Sequence, residues 1–125
     1  MKVKVVCTTI LVEKSPQALP LGAACIASAL KHSPETKDYC YVELRSFTLE
    51  DDSLAGRSNL AAADFVFNEL MKEFSEANGD RVNEADVNEA NGDRVKGIVC
   101  FSIFMWNRLI FETCAALFRK HGIIC

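Results

Sequence analysis

The sequence lacks most of the short patterns that identify common active sites. No glycine-rich phosphate loop follows the first apolar segment, because Glu13–Gly22 contains a single glycine. There is no Gly-x-Ser-x-Gly elbow, and no two cysteines have the two-residue gap typical of zinc or iron–sulfur ligation. These absences argue against a dinucleotide fingerprint, a P-loop, a serine nucleophile elbow and a cysteine metal site.

Long basic and long apolar runs are also missing. No five consecutive residues are basic, and the formal net charge is −3, so nucleic-acid binding is not expected. The start of the chain, "MKVKVVCTTILVEKSP", has no signal-peptide cleavage site, and its apolar run is too short to span a bilayer. We therefore expect a cytoplasmic protein with no membrane partner.

Six cysteines are present, and each lies in an apolar segment. Free cysteine in such surroundings behaves as a small hydrophobic residue. Since their spacing suggests no metal site, we expect reduced, structural thiols, as is usual in the cytoplasm.

Apolar and amphipathic segments alternate along the 125 residues, which is typical of a single α/β domain. The first and third strands are apolar almost throughout, as in a parallel sheet covered on both faces, whereas Tyr39–Phe47 alternates between apolar and polar residues. We predict a flavodoxin-like (Rossmann-like) doubly wound parallel sheet. Its predicted elements are strand Val3–Val12, helix Leu21–Ser33, strand Tyr39–Phe47, helix Asn59–Phe74, strand Val95–Trp106, helix Asn107–Gly122 and a fourth strand from Ile123.

The pattern stops at Cys125, where such a fold normally continues. We therefore expect residues 1–125 to be the N-terminal part of a longer domain, truncated after the third strand–helix unit. A sheet cut at this point would expose an apolar edge, so we expect self-association through the third strand or the "IIC" tail. Within the third helix, Asn107 is predicted to be the cap and Gly122 to end the helix.

One acidic segment interrupts the alternation. "EANGDRV" occurs at Glu76–Val82 and again at Glu89–Val95. Residues 76–95 carry six acids and two arginines, a charge of −4, so the rest of the chain carries +1 of the total −3. We interpret this insert as a mobile, solvated loop; the spacing of its acids fits no EF-hand.

The third strand ends in the stretch most suggestive of a ligand site. Ligands of open parallel sheets bind outside the carboxyl ends of the strands. Ser102 and Asn107 lie at that end, so their hydroxyl and amide are candidates to face a ligand. Alternatively, Ser102 bonds a neighbouring backbone group and Trp106 covers the core. His32 and His121 lie near helix ends, outside the predicted ligand loops.

Three stretches, "LPLGAACIASALK", "VELRSFTLEDD" and "GIVCFSIFMWN", resemble the N-terminal cobalamin (vitamin B12)-binding domain of B12-binding radical SAM proteins. The third-strand stretch of that family is similar to "VGFSVYIWN". The resemblance covers both flanks of the acidic insert. It implies a flavodoxin-like sheet that holds the corrin ring over the strand ends, with the nucleotide tail in the cleft at the sheet edge.

The resemblance also implies which residues contact the cofactor. Ser102-Ile103-Phe104 occupies the position of a Ser-x-Leu motif, so Ser102 would donate to the tail. "EKSPQALPLG" replaces an Asp-x-His-x-x-Gly loop and has no histidine, so the cobalt would lack a ligand from this loop. The implied cofactor-binding residues are Ser15, Gln17, Leu21, Gly22, Ser102, Phe104, Trp106 and Asn107, with no catalytic residue and no metal ligand.

The implied function is presentation of cobalamin to a downstream radical SAM domain. S-adenosylmethionine and a [4Fe-4S] cluster would belong to that domain of an oxygen-sensitive parent enzyme, because Cys-x3-Cys-x2-Cys is absent from this chain. Two alternatives remain open. The same fold could bind a substrate or partner without corrin, or it could be a flavin module, although no hydroxyl-rich loop follows the first strand.

Overall fold

The computed structural model describes residues 2–13, 19–79 and 97–125, which form alternating strands and helices. The apolar segments form the strands and the amphipathic segments form the helices, in the predicted order. The elements are β1 (Val3–Leu11), α1 (Leu21–His32), β2 (Cys40–Thr48), α2 (Asn59–Gly79), β3 (Gly97–Ser102), α3 (Arg108–Lys120) and β4 (Ile123–Ile124).

The four strands form one parallel sheet in the order β2-β1-β3-β4. β1 pairs with β2 along its whole length, and Val5–Thr9 of β1 pair with Ile98–Ser102 of β3. Residues 5–10 of β1 are all buried, as its β-branched, apolar sequence predicts for a central strand. The predicted flavodoxin-like parallel sheet is therefore confirmed. β3 lies between β1 and β4, so in this part of the chain β4 is the outer strand on that side.

The helices are divided between the two faces of the sheet. α2 and α3 cover what we call the aromatic face, whose core includes Phe74, Phe111 and Phe118, each at most 1% exposed. α1 covers the opposite face, which we call the alanine face because Ala23 and Ala27 of α1 pack there against small strand residues. Helices on both faces make the sheet doubly wound.

Two predicted ends, those of the third strand and the second helix, differ from the structure by four or more residues. β3 ends at Ser102, four residues before the predicted Trp106, because the chain turns at residues 105–107. α2 continues past Phe74 to Gly79, so the acidic insert begins as helix rather than loop. Residues 80–95 of that insert, and Lys96 after it, lie outside the described residues.

Both ends of α3 lie where the predicted capping residues place them, but the side chain of Asn107 does not cap the helix. Gly122 has φ +75°, the left-handed conformation that glycine adopts most easily, and it follows the helix directly, as predicted. Asn107 occupies the N-cap position, yet its side chain makes no capping hydrogen bond. Its amide instead bonds backbone groups of the preceding turn and of β1.

All six cysteines are free, as predicted. Cys7 and Cys114 are buried and Cys40 and Cys100 are partly buried, whereas Cys25 and Cys125 are exposed although they too lie in apolar segments of the sequence. An apolar neighbourhood in sequence does not specify which side of a helix a residue occupies. None of the helices in the described ranges has the length and apolarity needed to cross a lipid bilayer.

Candidate functional site

A cleft of about 490 Å³ opens at the carboxyl ends of β1 and β3. The chain leaves β1 towards α1 on the alanine face and leaves β3 towards α3 on the aromatic face. The crevice between two such strands is the usual ligand position in a doubly wound sheet. The volume is within the range of small-molecule sites in proteins.

The floor of the cleft is formed by Thr9 and Ser102, which are directly paired across β1 and β3. The Thr9 hydroxyl donates to the Ser102 carbonyl oxygen at 3.3 Å. No hydrogen bond to the Ser102 hydroxyl occurs within the described residues, and this side chain is half-buried. Ser102 therefore presents an uncommitted donor and acceptor to the cleft.

Gly22 faces that hydroxyl from the first turn of α1. A Cβ atom at Gly22 would lie 2.9 Å from Ser102 Oγ, closer than such atoms normally approach. The small residue thus lets α1 begin beside β3 while leaving the serine hydroxyl in place. This close approach gives a physical reason for the glycine that follows Leu21.

An aromatic pair forms the wall beyond β3. The rings of Phe104 and Trp106 are stacked, with centroids 4.6 Å apart and planes only 6° apart. Trp106 Nε1 donates to the Ile10 carbonyl oxygen at 2.7 Å, which fixes the indole against the end of β1. Both rings remain about two-fifths exposed, at 41% and 39%, so one side of the pair is available to a ligand.

Asn107 is completely buried and does not line the cleft. Its Oδ1 accepts the Phe104 N–H at 2.8 Å, while Nδ2 donates to the carbonyl oxygens of Ser102 at 3.2 Å and Ile10 at 3.3 Å. These bonds join the ends of β1 and β3 to the turn that carries the aromatic pair. Asn107 therefore positions the cleft wall through backbone contacts.

The lips of the cleft are apolar and exposed. Val12, Leu19 and Leu21 line it and are 47%, 60% and 64% exposed, respectively. Among the described residues that line the cleft, Glu13 alone carries a charge. Large exposed apolar side chains clustered around a concave site are typical of a surface that a ligand or partner covers.

Five of the eight residues proposed from the sequence line this one cleft. They are Leu21, Gly22, Ser102, Phe104 and Trp106. Ser15 and Gln17 lie outside the described residues.

Thr9 and Pro20 also line the cleft and were missed. Thr9 is a β-branched residue inside a strand and is ordinary in that context, so only the strand pairing reveals its position. In the described residues, no group of three or more His, Cys, Asp or Glu side chains is arranged to hold a metal ion.

A scan against protein-family models, a search of curated proteins and a search of solved structures found no match to this chain.

Proposed function

We propose that this chain is a cobalamin-binding module that presents the corrin cofactor to the catalytic domain of a radical SAM enzyme. The observation that carries the proposal is the cleft at the ends of β1 and β3, where the free Ser102 hydroxyl faces Gly22 across a gap that a side chain at Gly22 would fill. The stretch around Ser102 is also the one that resembles the family most closely.

The residues present fit the nucleotide tail of the cofactor. A cleft of about 490 Å³ suits a flat base and its sugar rather than a whole cobalamin. In this arrangement, the Ser102 hydroxyl hydrogen-bonds the tail, and the Phe104 and Trp106 rings pack beside it.

The corrin ring would lie outside the cleft, over its apolar lips. Val12, Leu19 and Leu21 offer exposed aliphatic surface on which a planar macrocycle can rest. No histidine occurs from Glu13 to Gly22, so this loop would provide no imidazole ligand to the cobalt. When bound, cobalamin supplies the group-transfer chemistry, and this chain supplies binding and orientation.

Equilibrium dialysis of the full-length parent protein against hydroxocobalamin, followed by visible absorbance, tests the proposal. We expect the wild type to retain corrin and Ser102→Leu to bind it about tenfold more weakly, because the leucine removes a hydrogen bond and fills the cleft. Ser46→Leu is the matched control. Ser46 lies on β2, where it pairs with Thr9 on the side of β1 away from Ser102, and it does not line the cleft. Far-UV circular dichroism checks that both variants fold.

Failure of the wild type to retain corrin would overturn the proposal. It would favour a second function, in which the same fold binds a substrate or partner without corrin; the absence of a histidine in the first loop favours that candidate. Under it, Ser102→Leu would leave the function of the parent protein unchanged. Sequencing the gene beyond Cys125 tests the proposed downstream domain, which requires a Cys-x3-Cys-x2-Cys motif.

A further inference from the structure

Cys7 and Cys100 are opposite each other on the alanine face of the sheet. They are a register pair of the parallel strands β1 and β3, and both pack in the region covered by α1. Neighbouring strands lie about 4.8 Å apart, which is within the range of roughly 4.4–6.8 Å between the Cα atoms of disulfide-bonded cysteines. The strand pairing therefore holds the two Cα atoms within the range that a disulfide requires.

The two thiols also interact directly and differ in access. Each thiol shifts the pKa of the other, upward for Cys7 and downward for Cys100. Cys7 is fully buried, whereas Cys100 is partly exposed, because α1 packs mainly against β2 and β1 and covers β3 less. An oxidant in solution therefore meets Cys100 first, with Cys7 directly behind it.

We propose that Cys7 and Cys100 form a hydroperoxide-reactive pair that closes to a disulfide between β1 and β3. This inference does not depend on cobalamin binding. The bond would join the strands two residues before Thr9 and Ser102, directly below the floor of the cleft.

The chemistry needs one hydroperoxide as the oxidant. The Cys100 thiolate attacks a peroxide oxygen, the O–O bond breaks, and Cys100 becomes a sulfenic acid while hydroxide leaves and is protonated to water. The Cys7 sulfur then attacks the Cys100 sulfur, the S–O bond breaks, and the Cys7 proton leaves with the hydroxyl group as water. Two thiols and one hydrogen peroxide thus give one disulfide and two waters.

The electrostatics support Cys100 as the attacking residue. The hydrogen bond from Cys7 lowers the pKa of Cys100 to about 7, against burial, which acts in the opposite direction. The same pairing raises the pKa of Cys7, with burial adding to the effect and Lys31 opposing it. Burial raises the pKa of Cys114 to about 12, so this thiol is expected to remain inert.

Peptide mapping of the intact wild-type chain tests the pair. The reduced protein is exposed to a small excess of hydrogen peroxide, free thiols are blocked with N-ethylmaleimide, and the tryptic peptides are weighed. Peptides 5–14 and 97–108 contain one cysteine each. We expect these two peptides to be joined with the loss of two hydrogens, to the same extent at a tenfold lower protein concentration, and to separate after reduction with dithiothreitol.

Two variants separate the roles of the residues. With Cys7→Ala, we expect Cys100 to accumulate as a sulfenic acid that dimedone traps on peptide 97–108. Cys25→Ser is the control, because Cys25 is exposed on α1 and its removal should leave the link unchanged. If Cys7→Ala does not fold, the mapping of the wild type still decides the question.

Recovery of peptide 97–108 with an unoxidised Cys100, while Cys25 or Cys125 is oxidised, would overturn the proposal. A link that joins Cys100 to any cysteine other than Cys7 would overturn it equally. The cobalamin proposal is tested by corrin retention of the reduced protein, so either proposal can fail while the other holds.

Discussion

The two faces of the sheet are built from side chains of very different size. On the aromatic face, two helices bury Phe74, Phe111 and Phe118 against the sheet. The Phe118 ring contacts those of Phe74 and Phe101, and the Phe111 ring also contacts Phe101. The alanine face has one helix, and its core consists of Val5, Cys7, Ala23, Ala27 and Val42. Burial of large rings stabilises a fold strongly, whereas small residues let a helix approach the sheet closely. The aromatic face therefore provides most of the stability, and the alanine face provides the cleft and the paired thiols.

The largest effect is expected from Phe111→Ala. Phe111 is completely buried on the aromatic face, so its truncation removes ring contacts and leaves a cavity that costs about 3–5 kcal/mol. Val42→Ala on the alanine face is the counterpart and should cost about 2 kcal/mol, since it removes only two methyl groups. Urea denaturation of both variants measures the difference. Equal losses would show that the two faces contribute equally.

A smaller effect is expected from the replacement of Asn107, whose amide joins the ends of β1 and β3. Asn107→Ala removes three hydrogen bonds to backbone groups and leaves the Phe104 N–H without its acceptor, which should cost about 2–3 kcal/mol. Asn68→Ala is the matched control, because Asn68 is exposed on α2 and its replacement should leave stability unchanged or slightly raised. Comparable losses in the two variants would contradict a positioning role for Asn107.

The smallest effects are expected from Thr8→Val and Thr9→Val, which replace neighbouring threonines on opposite faces of the sheet. Thr8 Oγ1 is buried and has no hydrogen-bond partner within the described residues, so Thr8→Val should raise the free energy of unfolding by about 1 kcal/mol. Thr9 Oγ1 donates to the Ser102 carbonyl oxygen, so Thr9→Val should lower it by about the same amount. Thermal unfolding of the two variants gives the signs. A decrease for Thr8→Val would mean that its hydroxyl has a favourable partner.

The sequence predicts the framework of the fold well because the framework depends on periodicity. Continuous apolar strands require cover on both faces, and that requirement alone leads to a parallel sheet with helices on each side. The stripe of Ile110, Phe111, Cys114 and Phe118 on α3 is buried, as its helical spacing predicts. Such patterns repeat along an element, so one misplaced residue does not change the conclusion.

Features that depend on the orientation of a single side chain were harder to predict from the sequence. Apolar residues continue past Ser102 to Trp106, and nothing in that run indicates that the strand ends early. The end depends on the Asn107 amide, which turns back to Phe104 rather than forward into α3. Both orientations satisfy an asparagine at a helix start, so only the three-dimensional surroundings distinguish them.

The site was predictable to the extent that it depends on topology. The helices that follow β1 and β3 lie on opposite faces of the sheet, so a crevice is expected between the ends of these two strands. Five of the proposed residues line that crevice. The contribution of Thr9 and the pairing of Cys7 with Cys100 depend on strand register. Register between strands more than 90 residues apart in the chain is not encoded in any local pattern.

Trp106 gives the molecule an intrinsic optical probe. It is the single tryptophan in the sequence, its indole N–H is held by β1, and its ring borders the cleft. Excitation at the red edge of protein absorbance therefore reports on one location alone. A coloured ligand seated against that ring would quench the emission by energy transfer, so occupancy can be followed without a label.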